Sequence, residues 1–119
     1  LKNNSAECKA MEALRHPNIV MYLGACTKPP NYACVLEYCS KKTVWSLVQN
    51  KDIPLTWDDR RRLALDTAKA VHYLHSFKPP ILHRDLKSLN LLLNDSYTVK
   101  LADFGWTRKL ADYMTSKIG

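Results

Sequence analysis

His83-Arg84-Asp85-Leu86-Lys87-Ser88-Leu89-Asn90 is followed, after a hairpin-sized interval, by Asp103-Phe104-Gly105. The interval holds two short apolar runs, 91–93 and 98–102, around Asn94-Asp95-Ser96. Asn, Asp and Ser favour turns because their side chains bond nearby backbone, so the two runs are expected to pair as strands. Asn90 and Asp103 offer one amide oxygen and one carboxylate, ligands suited to Mg²⁺, a hard cation that keeps waters and bridges phosphates. Gly105 gives the backbone freedom next to Asp103.

Outward from this segment, the chain of 119 residues is long enough for one ordinary small domain. Its apolar content is that of a globular protein, and no segment is biased enough to read as disordered. No apolar run approaches the roughly 18 residues of a membrane span. It opens Leu1-Lys2-Asn3-Asn4 and closes Ile118-Gly119, and both ends read as cut from a longer domain. Net charge is +7. A basic balance can serve nucleic acid, but apart from Arg60-Arg61-Arg62 and Lys41-Lys42 the cations are dispersed and no nucleic-acid motif accompanies them, so no nucleic-acid partner is expected. Cys8, Cys26, Cys34 and Cys39 lack C-x-x-C spacing, which favours four reduced, mostly buried thiols and a cytoplasmic protein. His72 and His75 read as ordinary helix residues, one of them open to packing.

The periodicities predict a helix over 5–15 stopped by Pro17, a strand over 19–25, a turn over 28–31 and a second strand over 33–38, the two strands forming an antiparallel hairpin. A short helix over 43–49 follows. Thr56, with Asp59 three residues on, is a predicted N-cap for a helix reaching about Ser76. Leu63, Thr67, Ala70, Val71 and Leu74 line its inner face. Asp58 and Asp59 partly offset three arginines that sit poorly against the helix dipole. Ile81-Leu82 is a short strand before the opening segment.

The segment fits H-R-D-L-x-x-x-N and D-F-G, the catalytic loop and metal-binding motif of protein kinases. The chain resembles an incomplete eukaryotic protein kinase domain of the tyrosine-kinase-like (Raf-like) Ser/Thr group. His16-Pro17-Asn18-Ile19-Val20, Gly24-Ala25-Cys26, Leu36-Glu37-Tyr38-Cys39, Tyr73-Leu74-His75 and Leu101-Ala102 before Asp103 extend the resemblance over essentially its whole length. The resemblance implies an α+β, two-lobed fold running from helix C to the start of the activation loop. Residues 1–36 would belong to the small lobe, 37–42 to the hinge and 43–119 to the large lobe.

It also implies transfer of the γ-phosphoryl of Mg-ATP to a protein Ser or Thr hydroxyl. Such transfer passes through a loose transition state, so catalysis is mostly positioning and charge neutralisation. Asp85 would orient the acceptor hydroxyl and take its proton. Lys87, a Ser/Thr-kinase feature at this position, would hold charge on the moving phosphate. Asn90 and Asp103 would hold Mg²⁺ once ATP's phosphates complete the site. Glu7 matches the helix-C glutamate that pairs with the ATP-anchoring lysine, and Leu36 the gatekeeper. Glu37 to Cys39 match the hinge that bonds the adenine edge, and Leu92 the apolar residue beneath the adenine ring. Met11, Tyr22, His83 and Phe104 match the stacked spine of the active state, although a plain core role explains them equally well. Arg84 would bind a phosphorylated activation loop. Of the hydroxyls Thr107, Tyr113, Thr115 and Ser116, the candidates for that phosphate are Thr115 and Ser116.

The match breaks in places. With only Gly24, Gly105 and Gly119 there is no G-x-G-x-x-G loop, and V-A-I-K and A-P-E are absent too. Trp106 is unusually bulky after D-F-G. The 119 residues alone are therefore expected to be inactive, and the helix face around Leu63 and Leu74 is expected to be exposed and to promote aggregation. The alternatives are a pseudokinase acting as an interaction scaffold, against which Asp85, Lys87, Asn90 and Asp103 argue, and a basic nucleic-acid module resting on charge alone.

Overall fold

The computed structural model describes residue 9, residues 11–103 and the backbone of residues 108–109. In chain order the elements are β1 (Tyr22–Cys26), β2 (Ala33–Leu36), α1 (Val44–Gln49), α2 (Trp57–His75), β3 (Ile81–Leu82), a 3-10 turn (Ser88–Asn90), β4 (Leu91–Leu93), β5 (Val99–Leu101) and β6 (Arg108–Lys109). Each strand pairs antiparallel with one partner: β1 with β2, β3 with β6, and β4 with β5.

Local sequence explains the helix starts. Thr43 Oγ1 accepts the Ser46 N–H at 3.1 Å, and the Thr43 N–H donates back to Ser46 Oγ at 3.2 Å. Thr56 and Asp59 form the same reciprocal cap on α2, at 3.1 and 3.0 Å. Each cap satisfies two backbone donors that a helix start otherwise leaves open. The bonds from Thr56 to Asp59, backbone first and side chain second, hold the Asp59 carboxyl below the usual carboxylate range.

Of the described residues in the helix predicted over 5–15, only Lys9, Met11 and Glu12 are helical; residues 13–15 are not, so the chain leaves the helix well before Pro17. The first hairpin is shorter than predicted. Its strands are 22–26 and 33–36 rather than 19–25 and 33–38, because residues 18–20 pair elsewhere. The Leu101 N–H donates to Asn18 O at 2.8 Å, and the Val20 N–H donates to Leu101 O at 3.0 Å. Ile19 thereby bridges Leu101 in parallel. The buried Asn18 amide adds a bond to Val99 O at 3.0 Å. On the far side of β4, Thr43 bridges Leu92, so the β4–β5 hairpin sits between the segment before β1 and the one before α1.

The core gathers Met11, Leu14, Ile19, Val20, Val44, Leu47, Ala70, Leu74, Leu91, Leu93, Val99 and Leu101. Contrary to expectation, the Leu63–Leu74 face of α2 is covered. Leu74 is fully buried and Leu63 packs against the core, because α2 lies along β5 and the Val99 N–H donates to Asp66 Oδ2 at 3.1 Å. The apolar groups that α2 exposes lie elsewhere, at Trp57 and Leu65. His72 and His75 are both exposed, off the Ala70–Leu74 stripe.

The cysteine reading is also corrected. Cys34 is disulfide-bonded and half-buried, and Cys26 is free but exposed. Spacing rules detect neighbouring ligands or redox pairs, whereas a bridge between distant segments depends on the tertiary fold and leaves no local spacing signal. Cys39 is free, with its thiol pushed up by burial and then by the Glu37 charge. Cys8 lies outside the described residues.

Candidate active site

The site is built where the loop after β3 meets the end of β5. The Asp85 N–H donates to His83 Nδ1 at 3.1 Å, and His83 Nε2 lies 2.8 Å from Ala102 O. A backbone N–H can only donate and a carbonyl can only accept, so His83 carries its proton on Nε2 in these two bonds. The Ala102 N–H then donates to Asn90 O at 2.9 Å. His83, 5% exposed, thus ties the residue before Asp103 to the backbone of Asp85.

Asn90 closes the loop upon itself. Its Nδ2 donates to Asp85 O at 2.8 Å and to Asp85 Oδ2 at 3.1 Å. The short 3-10 turn Ser88–Asn90 makes this possible by folding the chain back, with the Asn90 N–H donating to Lys87 O at 2.9 Å. Lys87 Nζ stands 3.7 Å from the same Asp85 Oδ2. Sequence analysis named Asp85, Lys87 and Asn90, and the fold places all three around one carboxylate.

Arg84 and Asp103 both have positive φ, 73° and 59°. Non-glycine residues rarely adopt this region, and the strain of order 1–3 kcal/mol tends to gather at functional sites. Asp103 is exposed. The nitrogen of the Asn90 amide is engaged by Asp85, so its Oδ1 is the atom available to a cation. Together with the Asp103 carboxylate this is an all-oxygen donor pair that fits Mg²⁺ when phosphates and waters fill the remaining positions. Among the described residues no cluster of three or more His, Cys, Asp or Glu could hold a metal by itself.

The residues expected to form the hinge meet β4 through Lys41 and Lys42. Leu36 and Leu92 are half-buried and pack against the core. The Glu37 N–H donates to Met21 O at 2.8 Å, while Tyr38 is 86% exposed. Cys39 is half-buried and also packs on the core. Beyond it the chain turns at Ser40–Lys41 and bonds to β4: the Lys41 N–H donates to Leu93 O at 2.9 Å, and the Leu93 N–H to Lys42 O at 2.8 Å. Of the residues expected in the spine, Met11 and His83 are buried and Tyr22 is half-buried. Glu7, Phe104, Gly105, Trp106, Thr107, Tyr113, Thr115 and Ser116 lie outside the described residues. Arg84 is exposed.

One pair of side chains escaped the sequence reading. Lys100 Nζ meets Glu37 Oε2 at 3.3 Å, and Glu37 Oε1 accepts the Met21 N–H at 3.0 Å. The available signal was a lysine between the buried Val99 and Leu101.

Residues 1–118 match the family model for the protein kinase domain. The chain is 47% identical over 114 residues to the serine/threonine-protein kinase CTR1 of Arabidopsis thaliana, covering 93% of this chain and 14% of that protein. It is 43% identical to the probable serine/threonine-protein kinase SIS8 of the same plant, covering 98% of this chain and 12% of the relative. To the probable serine/threonine-protein kinase drkC of Dictyostelium discoideum it is 38% identical, covering 98% of this chain and 16% of the relative. The chain therefore spans about one seventh of the length of these relatives. The family model runs through the loop that holds Asp85 and Asn90 and through the hairpin leading to Asp103, and the chain belongs to the protein kinase domain family.

Proposed function

We propose that the protein carrying this chain transfers the γ-phosphoryl of ATP, with Mg²⁺, to serine or threonine hydroxyls of a protein substrate. The observation that carries this reading is the grip on Asp85. Asn90 fixes both its backbone and its carboxylate, and Lys87 stands beside the same oxygen. In this reading residues 1–36 are part of the small lobe, 37–42 the hinge, and 43–119 part of the large lobe.

Asp85 Oδ1, the oxygen not held by Asn90, faces the acceptor hydroxyl and takes its proton. A carboxylate is a weak base toward an alcohol, and it suffices when the proton leaves late. Lys87 balances charge on the transferred group. Asn90 Oδ1 and the Asp103 carboxylate would hold Mg²⁺, which supplies charge neutralisation at the phosphates. The backbone at Glu37 and Cys39 would bond the adenine edge, with Leu92 beneath the ring and Leu36 at the back. Glu7 would pair with an ATP-anchoring lysine, and Arg84 with a phosphate on Thr115 or Ser116.

The test is an ATP assay on the full-length protein with an Asp85→Asn control. The expected result is phosphate on serine or threonine of a protein acceptor, reduced about 10²- to 10⁴-fold in the variant with ATP binding retained. Nucleotide binding with no transfer by the wild type would instead favour an interaction scaffold.

A further inference from the structure

The described ion pairs differ in setting. Arg61–Asp58 and Arg62–Asp59 lie on the exposed surface of α2, and Lys87–Asp85 belongs to the catalytic loop. Lys100–Glu37 stands apart, with side chains only 12% and 21% exposed. Sequestering two charges carries a desolvation penalty that their attraction need not repay, so such a pair is a poor device for stability alone, and fixing a particular geometry is its best-attested use.

Its position says which geometry. Lys100 faces Leu92 across the β4–β5 ladder, and side chains alternate along a strand, so both lie on the face turned to the hinge. Three residues beyond Lys100 is Asp103, and Glu37 is the residue that follows β2. The Glu37 carboxylate takes Lys100 on one oxygen and the Met21 N–H on the other. Met21 in turn accepts the Glu37 N–H, and its neighbour Val20 donates to Leu101 O. A closed circuit therefore runs from Glu37 through 20–21 to 100–101 and back through the ion pair. The pair also lines a cavity of about 290 Å³, so altering it does not overfill a packed core.

We propose that Glu37 and Lys100 are positioning residues that hold the adenine-facing backbone of 37–39 in register with the metal-facing Asp103, so that nucleotide and Mg²⁺ reinforce each other's binding. The inference rests on the ATP reading above. Neither side chain touches the reacting atoms. Each acts through the backbone it anchors.

The experiment measures ATP dissociation constants by calorimetry on the full-length protein, once with excess Mg²⁺ and once with EDTA, for wild type, Glu37→Gln, Lys100→Met and the double variant. Glu37→Gln preserves shape and an acceptor for the Met21 N–H, and it carries the test should Lys100→Met fail to fold. The wild type is expected to bind more tightly with Mg²⁺. Each single variant should shrink that enhancement about fivefold or more, the scale of an ordinary coupling between two sites. The double variant should lose no more than the worse single one, because both remove the same link. A merely structural role would weaken binding equally in both buffers. An enhancement unchanged in the folded variants, or losses that add, overturns the proposal. A wild type that binds no nucleotide sinks the ATP reading itself, and the pair's role with it.

Discussion

The side-chain nitrogen of Asn90 donates to Asp85 twice, to the backbone oxygen at 2.8 Å and to Oδ2 at 3.1 Å. Asn90 is 7% exposed, so little solvent can replace it. Asn90→Ala should destabilise the protein by about 1–3 kcal/mol, the cost of leaving a shielded acceptor unpaired. Denaturant titration of the full-length protein checks this. An unchanged midpoint would mean that the Asp85 oxygens find water instead.

The cap of α2 makes a separable prediction, since it touches nothing in the site. Thr56→Ala removes the acceptor for the Asp59 N–H and should lower stability by about 1 kcal/mol. Turnover per folded molecule should stay at the wild-type value, measured alongside the unfolding midpoint.

His16 introduces a pH dependence. Burial, then the charges of Lys100 and Lys69, hold its pKa below the ordinary 6.5. The unfolded chain therefore binds a proton at His16 before the folded chain does. Stability at this residue is full above about 6.5 and declines as the pH falls below it. Protonation also removes the Nδ1 acceptor used by the Asn18 N–H at 3.0 Å. His16→Gln should flatten the dependence of the urea midpoint between about pH 7.5 and pH 5.5. An equally steep fall in the variant would assign the effect to other groups.

The 119 residues by themselves should show no phosphoryl transfer. They contain three glycines and no G-x-G-x-x-G run to cover phosphates, and positioning is most of what such catalysis consists of. Incorporation of phosphate above the level of an Asp85→Asn control would overturn this.

The local features were the legible ones. Thr56 starts its helix as residue type and spacing predict, and Asn94 turns the β4–β5 hairpin by accepting the Ser96 and Thr98 N–H groups at 3.0 and 2.9 Å. Asp85, Lys87 and Asn90 were legible because six consecutive positions carry them. What sequence missed was non-local. The strand predicted over 19–25 looks continuous by composition, yet its first residues answer to Leu101, and nothing near Ile19 announces that. Lys100 and Glu37 were invisible as a pair for the same reason, and Cys34 carries no local spacing signal of its bond. The cover of the Leu63–Leu74 face, β5, is likewise non-local, and nothing in the helix's own sequence marks it.

That stitching of 18–20 onto β5 carries a consequence for synthesis. The Asn18 amide reaches Val99 across 81 positions of sequence, and Ile19 and Val20 are buried only when β5 is in place. A chain emerging from the ribosome in order would present these apolar residues, unpaired, until residue 101 has cleared the exit tunnel. Contacts this distant close late because the entropy of the intervening loop must be overcome first. Among the described residues, the segment His16-Pro17-Asn18-Ile19-Val20 therefore waits long for its partner, and there a chaperone would find an exposed strand to hold.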